Sequence, residues 1–178
     1  MDAHRAAYLE AIGIDVWVPR RRPELAPSAA PAIARVRREL DPSAAEAWRV
    51  LREEVAACTR CPLHGTRTQG VFGVGDLQAE WLVIGEAPGA EEDRRGEPFV
   101  GRAGQLLDSM LRAIGLARGD NVYIANVLKS RPPGNRDPKP DEVGACMPFL
   151  LRQVALLRPR VILDRKSTRL NSSHPYRS

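Results

Sequence analysis

Trp81-Leu82-Val83-Ile84-Gly85-Glu86-Ala87-Pro88-Gly89 is the stretch on which the fold turns. A short apolar run that ends in glycine and passes at once into Pro and Gly reads as a strand buried on both faces, as in a parallel sheet. Downstream, Leu106, Leu107, Met110, Leu111 and Ile114 recur at helical spacing and stop at Gly115. Val122 to Val127 reads as a second strand, and Val143, Met147, Leu150, Leu151, Val154 and Leu157 as another helix. Val161-Ile162-Leu163 then opens a third strand. Upstream, Ser43 to Glu46 has the S-x-x-E form of a capping box, and the helix it starts sets Trp48, Leu51 and Val55 on one face before Cys58. Strands alternating with helices predict a three-layer α/β/α domain around a doubly wound parallel sheet, with ligands at the carboxyl ends of the strands.

Two zones flank this domain, which the pattern bounds at residues 43–163. Residues 1–42 are rich in Ala, Arg and Pro, with an arginine triplet at 20–22 between Pro19 and Pro23, and read as a linker. Tyr8, Leu9, Ile12, Ile14 and Trp17 suit a short docking helix. Residues 164–178 hold four serines, as many as the preceding 163 residues together. From Asp164 to His174 the tail resembles the translation of a sequencing-library adapter; it is expected to be unstructured and is set aside from the fold.

The 178 residues are 43% hydrophobic and 28% charged, which suits one soluble domain with loops. No apolar stretch is long enough to span a membrane and no secretory leader is recognisable, so a cytoplasmic protein with no membrane partner, monomeric, is expected. The net charge of +5 owes much to Arg165, Lys166, Arg169 and Arg177 in the tail, so a broad basic surface is not implied. Three cysteines make a disulfide framework an unsuitable reading. Cys58-Thr59-Arg60-Cys61 with a distant Cys146 leaves an iron–sulfur or zinc site, a redox dithiol, or chance.

The chemistry is expected where strands end. Glycines around Glu86-Ala87-Pro88 and in Gly96-Glu97-Pro98-Phe99-Val100-Gly101-Arg102-Ala103-Gly104 allow close approach of a planar ligand, and Phe99 among them suits either a stacking platform or a core position. Asn126 at the end of the second strand offers a donor and an acceptor, the pattern that matches O4 and N3–H of uracil, or it simply closes a turn. Lys129, Arg131 and Arg136 around Pro132-Pro133-Gly134 form a candidate phosphate patch, or a solvated one.

Taken in order, the GEAPG block (85–89), the GEPFVGRAGQLLD block (96–108) and the NVLKSRPPGNRDP block (126–138) resemble the family-four uracil-DNA glycosylases, the iron–sulfur branch of that superfamily. The resemblance covers residues 58 to 163. It implies hydrolysis of the N-glycosidic bond of deoxyuridine in single- or double-stranded DNA, after the base flips into a pocket. The pocket residues implied are Glu86, Ala87, Glu92 and Asn135 around the reacting bond, with Phe99 stacking on the base and Asn126 reading its edge. A 4Fe-4S cluster is implied on Cys58, Cys61 and Cys146, with Ser130 where the family carries its remaining cysteine, which leaves the cluster type open. Ala87 stands where other branches carry a water-activating Asp. The family's His-Pro-Ser block lies beyond the third strand, and His174-Pro175-Tyr176 in the tail does not match it, so a C-terminally incomplete domain of impaired activity is expected. Two other readings stand beside this one: a non-catalytic DNA-binding or polymerase-associated module of the same fold, and a nucleotide-binding α/β domain with an incidental cysteine pair.

Overall fold

The computed structural model describes residues 41–164. The linker up to residue 40, with its arginine triplet and candidate docking helix, and the tail from residue 165 lie outside the described residues. Helix α1 spans Pro42–Ala56, two residues earlier than the capping box implied. Its cap is Asp41, whose carboxylate accepts from Ser43 N–H at 2.9 Å, with Pro42 in the first turn. Proline there has no N–H to satisfy and its φ already suits a helix, so the start moves upstream. Glu46, the expected reciprocal cap, instead pairs with Arg49.

Four strands form one sheet in the order β1-β3-β2-β4: β1 Val74–Gly75, β2 Trp81–Gly85, β3 Val122–Asn126 and β4 Val161–Asp164. β2 runs parallel to both β3 and β4, as the alternating pattern requires. The antiparallel edge strand β1 pairs Val74 with Ile124 and was not visible in the sequence. β4 runs one residue past the expected domain boundary, for Asp164 pairs with Ile84. Between β2 and β3 lie α2, Ala90–Arg95, and α3, Arg102–Ala113; α4, Pro140–Leu157, joins β3 to β4.

Successive strand residues point to opposite faces, and the core divides accordingly. Leu82, Tyr123 and Ala125 pack with Trp48, Leu51 and Val55 of α1 and Phe149, Leu150 and Leu157 of α4. Val83, Val122 and Ile124 pack with Leu107 and Leu111 of α3. Among the described residues no helix is long and apolar enough to cross a membrane.

Both outer helices differ from their sequence pattern. Of the five apolar residues read for α3, only Leu107 and Leu111 are buried, whereas Leu106, Met110 and Ile114 stand exposed. The five residues make two adjacent rows, one residue or about 100° apart, and the sheet covers one. On α4 the buried row is Glu142, Cys146, Phe149, Leu150, Gln153 and Leu157, while Leu151 is exposed. Glu142 and Gln153 are tolerated inside because each is fully hydrogen-bonded, a condition that hydrophobic periodicity does not reveal.

Candidate active site

The register of the sheet builds the site. Gly85, the last residue of β2, pairs with Asn126, the last of β3. Pairing continues beyond the strands through Val127 N–H to Gly85 O at 2.9 Å and Leu128 N–H to Glu86 O at 3.0 Å, so both exits are held side by side. A Cβ on Gly85 would lie 2.6 Å from Cζ of Phe99 and closer still to Oδ1 of Asn126. The Phe99 ring and the Asn126 amide therefore converge on the bare Cα of Gly85, and the absence of a side chain there is a steric requirement. Phe99 is half-buried and Asn126 is 2% exposed.

Directly after Gly85, Glu86 and Ala87 form one wall of a cleft of about 210 Å³ completed by Pro88, Gly89, Pro132, Asn135, Arg136, Asp137 and Pro138. Glu86, Ala87 and Asn135 are thus brought together, with Phe99 and Asn126 meeting at the adjoining Gly85. Asn135 is exposed, with φ of +55°, and its Oδ1 accepts from Arg131 Nε at 2.7 Å.

Glu92, which the resemblance implied near the reacting bond, is held here by loop main chain. Its Oε2 accepts from Gly89 N–H at 3.1 Å, and its Oε1 from Val100 and Gly101 N–H at 3.0 and 3.1 Å. The carboxylate ties the loop after β2 to the loop that carries Phe99. Asp93, buried beside it, accepts from the backbone and hydroxyl of Thr68.

The expected phosphate patch is reduced, because Lys129 is buried inside the fold and Arg136 is paired with Glu142. Lys129 is 1% exposed and donates to Asn126 O at 2.7 Å and to Gln153 Oε1 at 2.6 Å. Burial pulls its ammonium pKa down to about 7. Gln153 passes the connection on to Phe72 O at 2.9 Å, so the main chain at Asn126 is anchored to the core. Arg136 is engaged by the buried carboxylate of Glu142 at 2.9 and 2.5 Å. Arg131 keeps only its bond to Asn135 among these loop contacts. Sequence shows such charges but not the partners that the loop folds onto them.

The three cysteines gather in one neighbourhood. Cys61 packs against the small cluster of Leu63, Leu128 and Cys146, and Cys146 is buried. Burial first, then the nearby Cys61 and Cys58, push the Cys146 thiol upward. These residues supply three thiols and no fourth for the 4Fe-4S cluster that the resemblance implied on Cys58, Cys61 and Cys146. The fourth corner, Ser130, is buried and its hydroxyl accepts from Arg67 Nη1 at 2.9 Å. Arg67 also donates to the carbonyls of Ala56 at 2.6 Å and Cys58 at 3.2 Å, closing the end of α1 where the C-x-x-C pair begins. Among the described residues no three His, Cys, Asp or Glu side chains stand close enough together to hold a metal ion.

One residue that holds the Phe99 loop escaped the sequence: Arg118, in the connection between α3 and β3, donates to the carbonyls of Pro98 and Phe99 at 2.8 and 2.7 Å. Its partners lie 19 and 20 positions away, so no local motif marks it.

Comparison with known proteins gives the family. A family model described as the uracil DNA glycosylase superfamily matches residues 72–163, from Phe72 just before β1 to Leu163 within β4. A type-4 uracil-DNA glycosylase of Archaeoglobus fulgidus is 56% identical over 110 residues, covering 62% of this chain and 55% of the relative. Those of Thermotoga maritima and Pyrobaculum aerophilum are each 50% identical, over 122 and 113 residues, covering 68% and 64% of this chain and 63% and 57% of the relatives. The chain thus spans rather more than half the length of these relatives. On the match across half of its length, the chain belongs to the uracil DNA glycosylase superfamily.

Proposed function

We propose that this chain carries the base-recognition site of a DNA repair glycosylase that hydrolyses the N-glycosidic bond of deoxyuridine. The observation that carries this reading is the convergence of the Phe99 ring and the Asn126 amide on Gly85 at the paired ends of β2 and β3. A base within duplex DNA is out of reach of such a site, so the deoxyuridine leaves the stack and enters the cleft, while a single strand presents it directly. Phe99 supplies the stacking face. The Asn126 side chain donates to O4 and accepts from N3–H, a pairing that cytosine reverses. Lys129 holds the carbonyl of Asn126 and thereby the angle at which the amide is presented.

In the reaction, water oxygen bonds to the sugar C1′ as the C1′–N1 bond breaks, its electron pair departing with the uracil. The water proton leaves to solvent, and N1 is protonated after departure. Ala87 offers a methyl group rather than a carboxylate to this water; Glu86, beside it on the cleft wall, is the acidic group assigned to orienting it. Charge on the departing base grows toward O4, where the Asn126 N–H bond strengthens in the transition state. Glu92 acts one step removed, as the pin of the Phe99 loop.

Asn126→Asp replaces the donor by an acceptor and leaves the fold contacts of the main chain intact. Uracil release from a deoxyuridine oligonucleotide is expected to fall by about 10² or more, as for sites whose polar groups lose their partner. Release at the parent rate would remove Asn126 from the pocket.

A further inference from the structure

Phe99 is a non-glycine residue held at φ of +56°, in the left-handed region that costs an ordinary side chain energy. Such a conformation persists only where its surroundings impose it, and here three groups do so. On the carbonyl side, Arg118 Nη1 donates to Pro98 O and Nη2 to Phe99 O, while its Nε donates to Asp108 Oδ1 at 3.1 Å. On the amide side, Glu92 receives the next two N–H groups, those of Val100 and Gly101. Below, Gly104 passes so close that a Cβ would overlap the Phe99 carbonyl. The planar guanidinium suits two successive carbonyls at once, which an ammonium does not. The side chain is largely covered, 21% exposed, and its ion pair with Asp108 fixes the direction of the fork.

We propose that Arg118 is a positioning residue for base recognition: by clamping the Pro98 and Phe99 carbonyls it keeps Phe99 in its strained conformation, with the ring over Gly85 beside Asn126. The inference rests on the reading of Phe99 as the platform for uracil, and extends it to a residue that touches neither base nor sugar. Relaxation of φ at residue 99 would swing the ring away from Gly85 and from the Val83 and Leu107 cluster it packs against, while the pairing of β2 with β3 stays as it is.

The test is a double-mutant cycle of Arg118→Gln and Phe99→Leu, with Arg118→Lys as the variant that keeps charge without the fork. Single-turnover uracil release is measured together with thermal midpoint and hydrogen exchange of the Val100 and Gly101 amides. Arg118→Gln and Arg118→Lys are expected to lower release by about 10- to 100-fold, in the range of a misplaced catalytic geometry. They should speed exchange at those two amides, and in the Phe99→Leu background further loss should stay below about 2-fold, the non-additivity of residues acting as a unit. Parent-like release by both single variants, or full loss repeated in the Phe99→Leu background, would overturn the proposal. Should the parent release no uracil, the functional reading falls on its own; unchanged exchange at Val100 and Gly101 in Arg118→Gln would then overturn the clamp as well.

Discussion

Glu142 is 2% exposed, yet it is charged, because three donors meet it: two from the Arg136 guanidinium and Lys139 N–H at 2.9 Å. The bond from Arg136 above all, helped by Lys139 N–H, lowers its pKa from 4.5 to about 2. A folded pKa below the unfolded one gives stability that is complete above about pH 4.5 and lost as pH falls toward 2. Arg136 lines the cleft, so acid loosens the turn that carries Asn135. Thermal melts of Glu142→Gln against the parent test this. The variant should be less stable at neutral pH by about 1.5 to 3 kcal/mol, the usual worth of hydrogen bonds to a charged group. The gap should narrow as pH falls below 4.5, and a gap independent of pH would contradict the assignment. At this scale, Phe99 and Asn126 were legible because glycines and a strand end surround them in the sequence. Arg118, Lys129 and the bonding of Glu92 were not, since their roles depend on main-chain partners that folding brings to them.

Among the elements, α3 shows what periodicity leaves open. Its five apolar residues satisfy the helical template, but that template does not say which of two neighbouring rows meets the sheet. Val83, Val122 and Ile124 choose Leu107 and Leu111. Leu107→Ala is expected to destabilise by about 2 to 5 kcal/mol through lost burial and a residual cavity. Leu106→Ala, at 60% exposure, should change stability by no more than about 0.5 kcal/mol. Denaturant unfolding of the two variants decides the matter, and equal costs would show that the packed row has been misplaced. α4 follows the same logic: the apolar pattern placed the helix, and two hydrogen-bonded polar residues, Glu142 and Gln153, shift its buried row away from Leu151. β1 had no sequence signal because two residues cannot show alternation, and both Gly73 and Gly75, at φ of +141° and +138°, bend the chain around it.

For the whole molecule, one topological fact organises the rest. Because β2 and β3 run parallel, the chain leaves both at the same end of the sheet, which places two loops side by side, and the sequence motifs lie on those loops. The alternation of strand-like and helix-like segments along the chain is enough to imply that much. The cluster corner was legible as a set of residue positions only; what Ser130 does there follows from Arg67, which closes the end of α1 and takes its hydroxyl. At the other side of the sheet, Val161, Ile162 and Leu163 of the edge strand β4 are 37%, 50% and 42% exposed. The base recognition proposed above, by contrast, draws on β2, β3 and the loops between them, all within the described residues. Its most direct test is the identity of the base released, with the protein in excess over oligonucleotides that differ at one position, deoxyuridine, thymidine or deoxycytidine, and free bases quantified by mass over hours. Free uracil alone is the result predicted, and its disappearance in Asn126→Asp should follow; no uracil, or thymine and cytosine released alongside it at similar rates, would contradict the account.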